Sequence, residues 1–109
     1  MARKCLTLGK YTREGLAGAV KDGLQSRYEA IDTAIRSLGG RSIEYSWVQG
    51  EYDFIILAEL EEESTTQTLQ MAAGVSGTVT SHTIRLLSAQ EMDASRAHIA
   101  SLKFKPAGQ

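Results

Sequence analysis

Residues 50–60, GEYDFIILAEL, form the most apolar stretch of the chain. A short run of aromatic and β-branched residues that follows a glycine is typical of a buried strand, so we predict a strand over residues 52–60. The preceding stretch RSIEYSWV, residues 41–48, alternates in polarity and predicts a second strand. Gln49 and Gly50 lie between the two and predict a tight hairpin.

The two faces of this hairpin differ in composition. If it is symmetric about Gln49–Gly50, Trp47 pairs with Tyr52 and Tyr45 pairs with Phe54. One face then carries Ile43, Tyr45, Trp47, Tyr52, Phe54, Ile56 and Ala58, and the other carries Ser42, Glu44, Ser46, Asp53, Ile55, Leu57 and Glu59. Both faces hold apolar side chains, so we expect both to be covered, the second by another subunit across a two-fold axis. The pattern leaves open which face meets the helices, although the mixed face suits a polar-lined cavity better.

Upstream of the hairpin, the pattern predicts a strand over residues 4–11 and two consecutive helical stretches. Thr12 is a suitable N-cap for the first helix, and Gly23 interrupts it. The second stretch covers residues 26–38, and Gly39 and Gly40 end it. Its apolar residues recur at helical spacing on one face: Tyr28, Ile31, Ile35 and Leu38.

Downstream, the acidic run EEES at residues 61–64 predicts a helix start, and Leu69, Ala72 and Ala73 give that helix a modest apolar face. Residues 78–87 predict a fourth strand. Ser88 and Glu91 then form a capping-box pattern that opens a C-terminal helix, with a narrow apolar stripe formed by Met92, Ile99 and Leu102.

The predicted order is βαββαβ with an extra C-terminal helix, which is the ferredoxin-like arrangement of an α+β fold around a four-stranded antiparallel sheet. We expect residues 1–88 to form this domain and residues 89–109 to form the C-terminal helix and tail. A chain of 109 residues fits one such domain.

Composition limits the classes of partner. The net charge of −1 gives no basic footprint for nucleic acid. Cys5 is the only cysteine, which excludes an internal disulfide and fits a reducing compartment. No apolar run approaches the roughly 20 residues that span a bilayer. We therefore expect a cytoplasmic protein with no nucleic-acid or membrane partner.

The sequence GEYDF, following a predicted strand that contains Trp47, resembles the GYD-domain proteins. Four further features resemble that family in order and spacing: Tyr11-Thr12 with Gly15, Arg27, Gly39-Gly40, and SHTIR at residues 81–85. The resemblance implies a dimeric α+β barrel built from ferredoxin-like subunits, and hence a homo-oligomer. It implies no particular reaction.

The chain departs from the family pattern in several places. Gln25-Ser26 and Leu60-Glu61 stand where the family often has proline, and Ser81 stands where it often has threonine. The C-terminal helix is also longer than is usual in the family. These differences concern loops and the last strand and leave the expected fold unchanged.

Asp53 raises a question because it interrupts an apolar strand. The favoured interpretation is structural: its carboxylate accepts backbone N–H groups around the Gly50 turn. A second interpretation pairs it with Arg27 or Arg85. The third makes it a catalytic base in a low-dielectric cavity. His82 is the other weak catalytic candidate, although the favoured interpretation is an exposed histidine on an edge strand.

Several residues are candidates for ligand binding. An aromatic cluster that includes Trp47 and Tyr52 could line a pocket for a flat ligand, but such clusters more often form core or interface. Ser81, Thr83 and Arg85 share a strand face and could hold an anion, although a solvated edge strand explains them equally well. With the residues that carry the resemblance, the candidates are Tyr11, Arg27, Trp47, Tyr52, Asp53, Ser81, Thr83 and Arg85.

The sequence contains no motif for a cofactor, and no cluster at metal-ligand spacing accompanies His82. We therefore predict neither cofactor nor metal. The leading functional hypothesis is an oligomeric protein that binds a small molecule. The alternatives are a cofactor-independent monooxygenase- or isomerase-like enzyme acting on an aromatic or quinone-like substrate, and a structural or regulatory oligomeric module.

Overall fold

One four-stranded antiparallel sheet organises the chain in the computed structural model, which describes residues 3–61 and 63–109. Its strands are β1 (Arg3–Tyr11), β2 (Arg41–Trp47), β3 (Phe54–Leu60) and β4 (Val79–Arg85), in the spatial order β2-β3-β1-β4. The helices are α1 (Arg13–Asp22), α2 (Leu24–Ser37), α3 (Glu63–Ser76) and α4 (Ala89–Arg96), with a short 3-10 segment at Ile99–Ser101. The predicted ferredoxin-like α+β fold is confirmed.

The helix boundaries follow from the capping residues that the sequence provides. The Thr12 hydroxyl accepts the backbone N–H of Gly15 at the start of α1. Gly23 separates α1 from α2 with a φ of 93°, and Gly39 follows α2 with a φ of 81°. Ser88 and Glu91 form the predicted capping box at the start of α4.

The predicted register of the β2–β3 hairpin is wrong by two residues. Trp47 pairs with Phe54 and Tyr45 with Ile56, so β3 begins at Phe54 and residues 48–53 connect the strands. Asp53 bonds to both neighbouring strands just before β3: its backbone N–H donates to the Gly9 carbonyl at 2.8 Å, and its carbonyl accepts the Val48 N–H at 2.9 Å. Even so, a shift of two residues keeps each side chain on the same face of the sheet.

A β-bulge in β2 corrects the predicted faces further. The pairing shifts between Ser42 and Glu44, so Ser42 lies opposite Ala58 on the helix-facing side and Ile43 occupies the irregularity. Tyr52 also lies apart from the aromatic cluster, since it precedes β3 and its ring contacts that of His82 edge-on. The predicted faces of Ser42 and Ile43, and the predicted place of Tyr52 in the aromatic cluster, are therefore wrong.

The aromatic face of the sheet packs against the helices. On β3, Phe54, Ile56, Ala58 and Leu60 are between 3% and 7% exposed, whereas the alternate residues are only half-buried. Ile35 of α2 is the most deeply buried large side chain that the structure describes. The core therefore lies between this face and α2, and the mixed face is not the one that the helices cover.

The C-terminal segment projects from the domain. Helix α4 ends at Arg96, so Ile99 and Leu102 of the predicted stripe lie beyond it, and both are exposed together with Met92. The radius of gyration is 17.4 Å, against about 13 Å for a compact domain of this size. No helix in the described part of the chain has the length and apolar character that crossing a membrane requires.

Candidate functional site

A cavity of about 290 Å³ lies between the helix-facing side of the sheet and helices α2 and α3. Helix α2 packs mainly against β2, and α3 packs mainly against β4. The central strands β3 and β1 thus form the floor between the two helices.

The cavity exists because small side chains face each other across it. The floor on β1 and β4 consists of Cys5, Thr7, Gly9, Ser81 and Thr83, and the facing side of α3 contributes Thr66, Ala72, Ala73 and Ser76. Larger side chains nearby set the distance between helix α3 and the sheet, and side chains this small leave part of that distance unfilled. Leu69 is the large apolar side chain by which α3 meets the core.

The walls of the cavity divide into an apolar half and a hydroxyl-bearing half. Beneath α2, aliphatic and aromatic side chains line it: Ile31, Ile35, Phe54, Ile56 and Ala58. Beneath α3 the lining carries hydroxyl groups, and those of Thr7 and Thr83 bond to each other at 3.1 Å. The Cys5 thiol lies 3.7 Å from the Thr66 hydroxyl. Such a site can accommodate an apolar body and hydrogen-bond one of its edges.

One end of the cavity combines a cation with two phenols. Arg27, in the first turn of α2, is half-buried there with Tyr45 of β2 and Tyr11 at the end of β1. Burial raises the pKa of the Tyr45 phenol far above its ordinary value, and the neighbouring Tyr11 adds to this effect while the positive charge of Arg27 opposes it. Tyr45 is therefore a neutral hydrogen-bonding group at physiological pH.

The aromatic side chains at this end form a connected cluster. The Tyr45 and Phe54 rings stack with centroids 5.6 Å apart, and the Tyr11 ring lies 5.2 Å from Phe54. The Phe54 ring lies over Gly9, where an added Cβ would meet its ring carbons at 2.1–2.2 Å. Gly9 therefore lets the ring lie flat on the sheet and form part of the cavity floor.

Asp53 holds together the ends of two strands outside this cavity. Its Oδ2 accepts the backbone N–H of Tyr11 at 2.8 Å, and its backbone carbonyl accepts the N–H of Val48 at 2.9 Å. The carboxylate thus binds a neighbouring strand, not the Gly50 turn itself. Among the described residues, no ion pair joins it to Arg27 or Arg85.

The Tyr11-Thr12-Gly15 motif continues the same network. The Thr12 hydroxyl donates to the Gly77 carbonyl at 2.7 Å, and its backbone N–H donates to that of Thr78 at 3.0 Å. Gly15 permits this approach, since a Cβ there would lie 1.8 Å from the Thr78 oxygen. Asp53 and this motif together fix the rim of the cavity where Tyr11 enters it.

The predicted site residues divide into two groups. The structure brings Tyr11, Arg27, Ser81 and Thr83 together on the cavity. Trp47 is 39% exposed in a shallow outer recess. His82 is exposed on edge strand β4 and, by strand alternation, on the opposite sheet face from Ser81 and Thr83. Arg85 donates to Glu91 at 2.8 Å, beside a recess of about 140 Å³ that adjoins the cavity.

Several residues that line the cavity are not among the predicted site residues, including Cys5, Thr7, Thr66 and Gln70. A signal for the first two is present in KCLTLGK, residues 4–10, where small side chains alternate with Leu6 and Leu8. Alternation of small and large side chains predicts a strand that leaves space on one face. Thr66 and Gln70 have no comparable signal, because their position depends on how α3 packs.

Comparison with known proteins places the chain in a family. No curated protein matches it. A sequence model of the GYD domain matches residues 5–95. This range includes the Tyr11-Thr12 motif, Asp53, most of β1 and all of β2, β3 and β4. On this match over most of its length, the chain belongs to the GYD domain family.

Proposed function

We propose that the protein binds a small molecule in the cavity between its sheet and helices α2 and α3. The observation that carries this proposal is the arrangement of the lining: an apolar half, a hydroxyl-bearing half and one cationic end around about 290 Å³. Ligand sites combine apolar walls with a few polar groups that fix orientation. The proposed ligand lies with its apolar body against Ile35 and Ile56 and its polar groups toward Arg27.

The volume limits the size of the ligand. At roughly 30 Å³ for each water-sized group, the cavity accommodates on the order of ten non-hydrogen atoms. This is the size of a single substituted ring or a short branched chain.

The arrangement favours binding over catalysis. The alternative, a cofactor-independent monooxygenase- or isomerase-like enzyme on an aromatic or quinone-like substrate, requires a base that faces the ligand. Asp53 does not line the cavity and its Oδ2 accepts a backbone N–H, while His82 lies on the opposite sheet face. The two catalytic candidates are thus directed away from the proposed ligand.

We also propose that the protein acts as a homo-oligomer. The sheet face away from α2 and α3 carries apolar side chains that are half-buried or exposed: Leu6, Leu8, Ile55, Leu57 and Ile84. Full burial of an exposed side chain of this size contributes roughly 1.5–3 kcal/mol, and each of these gains the part that corresponds to its remaining exposed area. The same face on a second copy is the matching surface for a two-fold contact. Further apolar side chains are exposed on the projecting C-terminal segment, among them Leu87, Ile99 and Phe104.

The test of this function is mass spectrometry under native conditions on protein purified from cells, followed by the same measurement after denaturation. We expect an oligomer that carries extra mass which denaturation releases. The variant Ala73→Leu extends a side chain into the cavity and should lose that mass. The matched control, Ala30→Leu, makes the same change at an exposed position of α2 and should keep it.

Two results would argue against binding. If all three proteins have masses that are whole multiples of the chain mass, no ligand is retained; if Ala73→Leu keeps the ligand as well as Ala30→Leu does, the ligand lies elsewhere. An oligomer without ligand would favour the structural or regulatory module, and a monomer would contradict the proposed pairing of sheets.

A further inference from the structure

We infer that the ligand is an aromatic monocarboxylate of about ten non-hydrogen atoms, whose carboxylate binds the Arg27 guanidinium and whose ring lies on the apolar half of the floor. This inference rests on the proposed function, because it assigns a chemical class to the ligand of the same cavity. The observation behind it is a positive charge at one end of an otherwise uncharged lining.

Arg27 is the only charged residue among those that line the cavity in the described part of the chain. It is half-buried, and no carboxylate with a described side chain lies within 4.0 Å of it. A guanidinium that is partly removed from water is stabilised by a negative partner, because its solvation is weakened. The cavity therefore presents a cation whose counter-ion can come from a ligand.

The Tyr45 phenol does not supply that negative charge. It lies beside Arg27 on the cavity, and burial raises its pKa far above the ordinary value of a phenol. It therefore stays protonated and can donate its O–H. With the Tyr11 hydroxyl, which hydrogen-bonds to that of Tyr45, the Arg27 end offers a bidentate cation beside a pair of hydroxyl groups, and this combination matches the oxygens of a carboxylate.

The charge and shape of the cavity select among anions. A phosphate monoester carries a charge of about −1.5 to −2, which one guanidinium offsets only in part within apolar surroundings. A carboxylate carries a single negative charge and pairs with a guanidinium through two parallel hydrogen bonds. The stacked rings of Tyr45 and Phe54, at an interplanar angle of 20°, provide a flat surface for an aromatic body.

The experiment measures binding of two probes of equal size, 4-ethylbenzoate and 4-ethylbenzamide, to the whole chain by calorimetry. The amide keeps the ring and a carbonyl oxygen but lacks the charge. We expect the wild-type protein to bind the carboxylate about tenfold to a hundredfold more tightly, the range for one charge-assisted hydrogen-bonded pair. This comparison within the wild-type protein does not depend on any variant folding.

The variant Arg27→Gln should remove the preference, weakening the carboxylate by a similar factor and leaving the amide within about twofold. Arg13→Gln makes the same change at an exposed position of α1 and should keep the wild-type preference. Inorganic phosphate is the third probe, and we expect it to bind more weakly than the carboxylate.

The outcomes separate this inference from the proposed function. Equal binding of carboxylate and amide, with no effect of Arg27→Gln, would overturn the monocarboxylate assignment and leave the cavity as a binding site. A preference that survives in Arg27→Gln would overturn it as well. Binding that Ala73→Leu does not weaken would place the ligand outside the cavity and overturn both. Tighter binding of phosphate would overturn the choice of anion.

Discussion

The hydrogen bond from Tyr11 N–H to Asp53 Oδ2 gives a sharp prediction about stability. At 2.8 Å it links the end of β1 to the residue that precedes β3, and both groups are half-buried. Asp53→Ala removes the acceptor and leaves the Tyr11 N–H with no protein partner in its place. Asp53→Asn keeps an oxygen in the same position but removes the charge. We therefore expect both variants to be destabilised, the alanine more than the asparagine.

The magnitude follows from the type of bond. Hydrogen bonds to charged groups contribute about 1.5–3 kcal/mol, and partial exposure of Asp53 places its bond toward the lower part of that range. We expect a loss of about 2 kcal/mol in unfolding free energy for Asp53→Ala and about half of that for Asp53→Asn. For a chain of 109 residues, an unfolding entropy of about 2.1 cal/mol/K per residue converts 2 kcal/mol into a fall in Tm of about 9 °C.

Urea unfolding followed by tryptophan fluorescence measures this change. Trp47 is the only tryptophan, and its ring lies 4.6 Å from that of Tyr45, so its emission reports the β2–β3 region. The control is Glu51→Ala, an exposed position in the same connection, which should stay within about 0.5 kcal/mol of wild type. If Asp53→Ala also stays within that limit, Asp53 does not anchor the strands, and the structural interpretation of the motif is wrong.

Two further predictions concern the cavity floor and the C-terminal helix. Gly9→Ala should lower the unfolding free energy by about 1–3 kcal/mol, because the added Cβ would displace the Phe54 ring. The control, Gly18→Ala, should be neutral or stabilising, since an added Cβ there would contact no other part of the protein within 4 Å. If urea unfolding gives the same loss of unfolding free energy for both variants, the packing argument is wrong. The backbone N–H of Ser88 lowers the pKa of Glu91, and Arg85 lowers it further. The capping interaction should therefore be complete above the ordinary glutamate pKa and be lost as the pH falls through the lower pKa of Glu91 in the folded protein. An NMR titration of Glu91 measures that pKa, and we expect it to rise in Arg85→Gln. An unchanged pKa in this variant would refute the role of Arg85.

The order of elements could be predicted because each boundary has a local chemical cause. Thr12 caps α1 with its own hydroxyl, and Ser88 with Glu91 caps α4 within four residues. Gly23 and Gly39 adopt positive φ angles that other residues rarely adopt. None of these signals depends on distant parts of the chain, so the sequence pattern is sufficient to place them.

The hairpin register could not be predicted because its cause is not local. Gln49 and Gly50 suggest a two-residue turn, yet Asp53 pairs with Gly9 and Tyr11 on a strand more than forty residues away. This bonding holds Asp53 in register with β1, and the Val48 N–H donates to the Asp53 carbonyl on the other side, so residues 49–52 form the turn and the first β2–β3 pair is Trp47 and Phe54. The aspartate that looked anomalous within a strand therefore lies just before it.

The cavity could not be predicted from the alternation of apolar residues alone. Alternation assigns side chains to the two faces of the sheet, but it does not say which face the helices cover. That choice depends on volume: the β3 face with Phe54, Ile56 and Leu60 fills the space beneath α2, and the small residues of β1 cannot fill the space beneath α3. Since Gly9 and Phe54 occupy the same point of the floor, enlarging one displaces the other. The small side chains on β1 thus determine both where the Phe54 ring lies and how much space remains above it. A ligand that stacks on this ring must therefore occupy that space.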